Sequence, residues 1–333
     1  MDTRQYVLAR RPSGAPDRDD FAVETVSLPD LDPGEVQVRT RYVSVDPYMR
    51  GRMRAGDSYA PAWAVGDPIP AGGVGEVVES RHPDWAAGDT VVGQLAWADH
   101  VVVDGDRLAP VDPSVAPPPA WLGVLGLTGR TAYFGMLDVA EPRPGDTVVV
   151  SGAAGAVGTI AGQLAALAGA TVIGIAGTDE KTAFLTDTLG FDAALNYRDG
   201  TVDAALDRIL EDGIDVYFDN VGGSITDAVF THLATGARVA VCGQIALYNQ
   251  ESVPTGPRKL WQLIEHQARV EGFLVRQFEP RFDEATARLT RWVDSGAIHH
   301  EQTVVEGFAV IPEAFAGLFE GTNIGKLVVA LEE

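Results

Sequence analysis

The stretch TVVVSGAAGAVGTIAGQLAALAGATVIGIAG, residues 147–177, restricts the possible folds more than any other part of the chain. A β-branched run leads into a turn of glycine and alanine. Apolar residues then recur at Val157, Ile160, Ala161, Leu164, Leu167 and Ala168, a 3-and-4 spacing that predicts a helix. A second apolar run follows, so the segment reads strand–turn–helix–strand. Aligned on its glycines, the turn is Ala153-x-Gly155-x-x-Gly158, with alanine in the first glycine slot. Gly155 would let backbone N–H groups approach a pyrophosphate, and Gly158 would let the helix lie close on the strand. The positive end of the helix dipole would face the phosphates. Small residues that merely pack a helix on a sheet are the plainer alternative. The strand before and the helix after favour dinucleotide binding.

Around this unit the texture changes twice. Up to about Trp121 the chain is β-rich, with candidate strands in YVLAR, FAVETVSL, EVQVRTRYVSV, GVGEVVES and DTVVGQLAWADHVVV. Beyond it, short apolar runs alternate with helical spacing, as a parallel α/β sheet requires. The runs are TVVVSG, TVIGIAG, AALNY, DVYFDNVGG, ARVAVCGQI and RVEGFLV. The tail returns to strand-like ends around one short helix. The expected division is therefore 1–121, 122–297 and 298–333, the last piece rejoining the first.

Composition removes several function classes. A formal charge of −22 disfavours a nucleic-acid partner. No apolar run reaches the about 18 residues of a membrane span, and MDTRQYVLAR lacks the layout of a secretion signal. The expectation is a cytoplasmic protein without membrane or nucleic-acid partners. Cys242 is the single cysteine, so neither an intrachain disulfide nor a multi-cysteine zinc site is available.

The choice of nucleotide turns on the tip of the second strand. An NAD site usually carries a carboxylate there, on the ribose hydroxyls. Here the tip is Ile175-Ala176-Gly177. Asp179 and Glu180 come later, where acidic residues suit the start of a helix. Lys181, or Tyr197 at the end of the third strand, could meet a 2′-phosphate instead. Residue chemistry leans to NADP, with an exposed helix lysine as the alternative for Lys181.

With these pieces in place, the chain resembles the zinc-free medium-chain dehydrogenase/reductase family. Within it, the similarity is to the leukotriene B4 12-hydroxydehydrogenase/prostaglandin reductase and 2-alkenal reductase branch. The likeness covers nearly the whole chain and rests on VSVDPYMRGRM, GGVGEVVES, GLTGRTAYFGMLDV, SGAAGAVGTIAGQLA, GTDEKTAFL, FDNVGG, CGQIALYN and NIGKLVV. It implies a GroES-like β-rich catalytic domain from both chain ends around a Rossmann domain, NADPH as cofactor and a homodimer. Carried over, Gly155, Ala156, Val157 and Gly158 would hold the pyrophosphate, and Lys181 and Tyr197 the 2′-phosphate. Asn220, the segment from Cys242 and Gly243 to Tyr248, then Phe273, Leu274, Val275 and Asn323 would line the rest of the cofactor. Thr128 would lie near the nicotinamide, and Tyr48 and Tyr248 by the substrate. Two departures bear on substrate size: Glu265 stands where some mammalian members have tyrosine, and SYAPAW fits a longer, bacterial loop.

The chemistry follows from what the sequence lacks. There is no ligand set of cysteine, histidine and carboxylate for a catalytic zinc, so no metal is expected. Polarising a plain alcohol is then difficult. Reduction of an activated C=C bond needs less: a bound carbonyl, a hydrogen-bond donor and a positioned nicotinamide. Tyr248 is the candidate donor, with a buried structural phenol as its alternative. Tyr48 reads as a pocket wall rather than an acid. Met49, Tyr59, Trp63 and Phe273 would supply apolar lining. Arg50 and Arg52 read as surface charge, or as a reception point for an anionic substrate tail. The leading expectation is an NADPH-dependent reductase of α,β-unsaturated aldehydes and ketones. Quinone reduction, and a non-catalytic NADPH-binding sensor or scaffold, are the alternatives.

Overall fold

The structure is a computed structural model describing residues 1–56, 58–252 and 254–331. The chain divides into two compact units. One is Met1–Leu122 with Gln302–Asn323 and the segment from Leu327 on; the other is Gly123–Glu301 with Ile324–Lys326. The first unit opens with β1 (Asp2–Leu8), β2 (Phe21–Ser27), β3 (Glu35–Ser44), α1 (Tyr48–Arg52), β4 (Pro70–Ser80), β5 (Thr90–Ala96), β6 (His100–Asp104) and β7 (Leu108–Pro110). The second runs through α2 (Leu127–Phe134), β8 (Thr147–Ser151), α3 (Gly158–Leu167), β9 (Thr171–Ala176), α4 (Asp179–Ala183) and β10 (Ala193–Asn196). It continues with α5 (Val202–Ile209), β11 (Ile214–Asp219), α6 (Gly223–Val229), β12 (Leu233–Val241), α7 (Trp261–Glu265), β13 (Arg269–Gly272) and α8 (Phe282–Asp294). The tail adds β14 (Gln302–Glu306), α9 (Ile311–Glu320) and β15 (Lys326–Ala330).

In the first unit, β1 and β2 form an antiparallel pair. The main sheet runs β14-β15-β3-β4-β5-β7, with β6 also paired to β3. The sequence DTVVGQLAWADHVVV, continuous in apolar character, is thus two strands, β5 and β6. Strand β3 alternates as a half-buried strand must, placing Val36 and Val38 inward beside Val77, Val91 and Leu95. Its register shifts between Thr40 and Tyr42, and beyond the shift Val43 joins a different core. That core centres on Trp97, whose ring meets Phe21 and Phe315 and whose indole N–H donates to Ser44 O at 3.1 Å. Phe308, Ile311, Phe315, Leu327 and Val329 of the tail are buried in it, which is why the chain returns to this unit.

The second unit holds a six-stranded sheet in the order β10-β9-β8-β11-β12-β13. Every pairing in it is parallel. Its central strands are covered on both faces, so Val148, Val149 and Val150 form an unbroken buried run. Strand order reverses between β8 and β11. In such doubly wound sheets the crevice outside the strand ends at this reversal is the ligand site. The fold is therefore a parallel Rossmann sheet domain with a mostly-sheet second domain. No helix among the described residues is long and apolar enough to cross a membrane.

Candidate functional site

The glycine turn sits between β8 and α3, at the reversal. Gly152 carries its left-handed step (φ 58°), so the tight turn is made one residue before Ala153. Ala153 N–H donates to Ile175 O at 3.0 Å, fastening the turn to β9. A Cβ on Gly158 would lie 2.3 Å from Gly152 O and 2.7 Å from Ala153 Cα, so only glycine lets α3 approach this closely. At Gly155 the nearest atom to an added Cβ is Gly152 O at 3.2 Å. That single contact is tight, and a side chain there would press on the turn's own carbonyl while entering the cradle in front of α3. Ala156, Val157 and Gly158 lead into the amino end of the ten-residue α3. Exposed N–H groups and the helix dipole suit an anion there. On the far side, Gly325 N–H donates to Ala154 O at 2.8 Å, so the NIGK glycine braces the turn.

The carboxylate question at β9 is answered by the neighbouring strand. Register pairs Asn196 of β10 with Ala176 of β9. From there Asn196 Nδ2 donates to Asp179 Oδ1 at 2.8 Å, so this carboxylate is held in a protein hydrogen bond. Thr178 caps α4 by accepting from Lys181 N–H at 3.2 Å, which sets Lys181 in the first turn. Burial, then the nearby Arg198 cation, lowers the Lys181 ammonium pKa. Tyr197 lies against Gly177, its hydroxyl 2.8 Å from where a Cβ would stand. The Arg198 guanidinium carbon is 5.7 Å from the Tyr197 ring centre. Lys181, Tyr197 and Arg198 thus form a cationic corner beyond β9 with a phenol in it. That chemistry fits a phosphate on the ribose. Arg198 follows Tyr197 directly in sequence, but only the shared corner marks it.

At the reversal itself, Asn220 N–H donates to Ser151 Oγ (3.0 Å) and Asn220 Nδ2 to Ser151 O (2.8 Å), stapling the ends of β8 and β11. The amides of Cys242 and Gly243 donate to Asp219 O at 2.9 and 3.0 Å. The following loop turns back on itself: Tyr248 Oη accepts from Gln244 N–H at 3.3 Å. An oxygen that accepts in this way is a stronger donor through its own O–H. Burial, with Asp219 adding to it, pushes the Cys242 thiol up to about 12.

The remaining expected residues fall in several settings. Thr128, buried on α2, donates to Gly123 O at 3.0 Å. The Phe273 ring packs on Phe218 and against Gly135, while its N–H reaches Val241 O at 3.4 Å. Leu274 and Val275 follow at the surface end of β13, and Glu265 is exposed at the end of α7. Asn323 is buried at the edge of the first unit. Met49 is wholly buried in the first unit's core, with Tyr48 packed against it, half-buried. Burial, then Asp46 and Tyr59, raises the Tyr48 phenol far above its ordinary value, so it stays protonated. Trp63 is buried and Tyr59 exposed.

Arg50 is neither surface charge nor a free reception point. It is buried, and its Nε and Nη2 donate to Gly14 O and Pro12 O at 2.9–3.1 Å. Arg52 Nε donates to Pro61 O at 2.7 Å, with its guanidinium over Trp63. Both arginines brace the loops around α1, because backbone carbonyls in a half-buried loop need donors.

Comparison with known proteins matches two family models. Residues 4–111 fit one described as the N-terminal domain of oxidoreductase, and residues 156–291 one described as zinc-binding dehydrogenase. Among the described residues no group of three or more His, Cys, Asp or Glu is placed to hold a metal. A putative NADP-dependent oxidoreductase of Bacillus subtilis (strain 168) is 47% identical, over 99% of this chain and 98% of its own. The NADPH-dependent curcumin reductase of Escherichia coli (strain K12) is 40% identical, over 98% and 96%. The crystal structure of CurA in complex with NADPH from Vibrio vulnificus superposes with a TM-score of 0.94 at 40% identity, covering 99% of each chain. The chain belongs to the zinc-free, NADP-dependent reductase branch of the medium-chain dehydrogenase/reductase family.

Proposed function

We propose that the chain uses NADPH to reduce the C=C bond of α,β-unsaturated aldehydes and ketones, with hydride arriving at the β-carbon. The observation that carries the cofactor half is the corner of Lys181, Tyr197 and Arg198, beside an Asp179 already engaged by Asn196. Support for the substrate half is the similarity to a curcumin reductase, because curcumin contains conjugated carbonyls.

When bound, the nicotinamide supplies the hydride. The residues of this chain do the rest. The amides of Ala156, Val157 and Gly158, with the α3 dipole, hold the pyrophosphate. The Gly155 N–H already donates to Gly152 O at 3.0 Å, so Gly155 serves by leaving room rather than by donating. Lys181 and Tyr197, joined by Arg198, hold the 2′-phosphate. Asn220, Cys242, Gly243, Phe273, Leu274, Val275, Asn323 and Thr128 line the remaining length. Tyr248 donates a hydrogen bond to the substrate carbonyl oxygen as charge builds on it. Tyr48, kept neutral, serves as a wall, with Tyr59 and Trp63 lining the substrate's apolar body.

The partner protein in this reading is a second copy. Strand β13 ends the sheet and is exposed along its length. Leu260, Trp261 and Ile264 beside it are each at least 65% exposed. An unpaired edge with apolar side chains calls for strand pairing. Ile264→Lys should convert a dimer to monomers in sedimentation.

The deciding experiment is a panel of alkenals, enones, saturated ketones and quinones, followed by NADPH oxidation with product identification. Saturated carbonyl products support the proposal. Turnover of quinones alone would replace it, and tight NADPH binding without turnover of any of these would favour a sensor.

A further inference from the structure

The Asp219 carboxylate, fully buried at the end of β11, accepts six hydrogen bonds. Its Oδ1 takes Ser151 Oγ (3.1 Å), Tyr217 Oη (2.9 Å), Val221 N–H (3.0 Å) and Gly222 N–H (2.9 Å). Its Oδ2 takes Thr226 Oγ1 and Gln244 Nε2, both at 2.8 Å. A buried ionised carboxylate needs such a shell, since it can only accept. Five of these donors belong to β8, β11, the turn after it and α6, elements that the sheet already fixes. Gln244 is the exception. It comes from the loop that follows β12, and its Nε2 also donates to Gly243 O at 3.1 Å. The same residue's N–H donates to Tyr248 Oη. A continuous path of hydrogen bonds therefore runs from Asp219 through Gln244 to Tyr248.

We propose that Asp219 is a positioning residue. Through Gln244 its carboxylate holds the loop of Cys242 to Tyr248 in the shape that presents the Tyr248 hydroxyl. The proposal rests on the reading of Tyr248 given above, but its geometry can be tested without any substrate.

The donor and acceptor balance dictates the variants. Gln244→Ala removes the loop's side-chain tie to the carboxylate and leaves Asp219 with its other five donors. It keeps the main-chain bonds of Cys242, Gly243, Ile245 and Ala246 to Asp219 O, Asn220 O and Val221 O. Asp219→Asn puts an amide N–H₂ opposite the Gln244 amide, so the pair can bond only if Gln244 turns its Oε1 toward residue 219 and gives up its Nε2 bond to Gly243 O. Gln244→Glu sets two carboxylates at hydrogen-bond distance in a buried site. Combining Asp219→Asn with Gln244→Glu removes the carboxylate pair and restores a donor–acceptor contact with the polarity reversed, though the bond to Gly243 O stays lost. Thr226 can then accept from the new amide, because its contact with Tyr217 Oη, at 3.1 Å, allows either oxygen to donate.

Two readouts are needed. The first is the labelling rate of Cys242, the chain's single cysteine, by dithiobisnitrobenzoate in cofactor-free protein at fixed pH. Its amide donates to the Asp219 main-chain O, which none of these variants alters, so a faster rate shows that losing the side-chain tie opens the loop as far as its first residue. The second is kcat with NADPH and a simple enone. Gln244→Ala and Asp219→Asn should each raise labelling about tenfold and lower kcat about tenfold, and Gln244→Glu should do more. The double variant should label at least about threefold more slowly and turn over at least about threefold faster than Gln244→Glu alone. Rescue of this kind separates positioning from general destabilisation, which a second substitution would deepen. A Gln244→Ala protein with parental labelling and kcat would overturn the proposal, and so would a double variant no better than Gln244→Glu. If Asp219→Asn fails to fold, Gln244→Ala decides. If the parent protein reduces no enone, the proposed reaction fails while the labelling series still judges the loop.

Discussion

Asn196 holds Asp179: the amide on the third strand of the nucleotide sheet donates to the carboxylate after the second at 2.8 Å. An acidic residue near the place where NAD-binding sheets present one to a ribose is thereby engaged, beside Lys181. Lys181→Ala should weaken NADPH binding by about 1–3 kcal/mol, the range for a charge-assisted contact. NADH affinity should stay within about twofold. Asn196→Ala should release Asp179 and shift preference toward NADH. Titration of both cofactors by fluorescence checks this, and equal losses for both would mean that Lys181 acts on the fold.

The two glycines of the turn should separate stability from binding. Gly158→Ala forces a methyl into Gly152 O and Ala153. It should cost about 1–3 kcal/mol, as overpacking does, and lower the melting temperature. Gly155→Ala meets one backbone oxygen, Gly152 O at 3.2 Å, and should lower the melting temperature less than Gly158→Ala while binding NADPH more weakly.

Arg50 and its two carbonyl partners give a third contrast. Arg50→Met removes buried charge-assisted hydrogen bonds and should destabilise the protein by about 1.5–3 kcal/mol. The ratio of kcat/KM for anionic over neutral enones should not change. A selective loss of anionic substrates would return Arg50 to the substrate.

Cys242 makes an alkaline prediction. Its thiol, held up near 12 against an ordinary 9.0, stays neutral in the folded protein where an unfolded thiol ionises. The raised value contributes stability that is complete below pH 9 and lost as pH climbs toward 12. Relative to Cys242→Ala, the parent should lose melting temperature progressively above pH 9 and not below it. Labelling at pH 7–9 should be slower than for an exposed thiol.

The nucleotide half was largely legible in the sequence because its signals are local. Periodicity gave α3, the glycine spacing gave the turn, and buried parallel strands read as apolar runs. What escaped were contacts set by sheet register and loop path. Nothing adjacent in sequence links Asn196 to Asp179, or Asp219 to Gln244. The burial of Arg50 is not legible in the sequence, because a five-residue helix in a β-rich domain gives no periodicity from which to infer it. Lys181 on α4 and Tyr197 after β10 stand out by residue type near the ends of the second and third strands, whereas Arg198, an arginine in a polar loop, reads as ordinary surface.

The central claim is where the hydride goes. NADPH deuterated at the transferable C4 position should be reacted with an α,β-unsaturated ketone and the product examined by NMR. The account predicts deuterium on the β-carbon, a solvent-derived hydrogen on the α-carbon and an intact carbonyl. With Tyr248→Phe the same product should form with kcat lowered roughly ten- to a thousandfold, the range for losing an oxyanion donor. Deuterium on the carbonyl carbon, in an allylic alcohol, would contradict it.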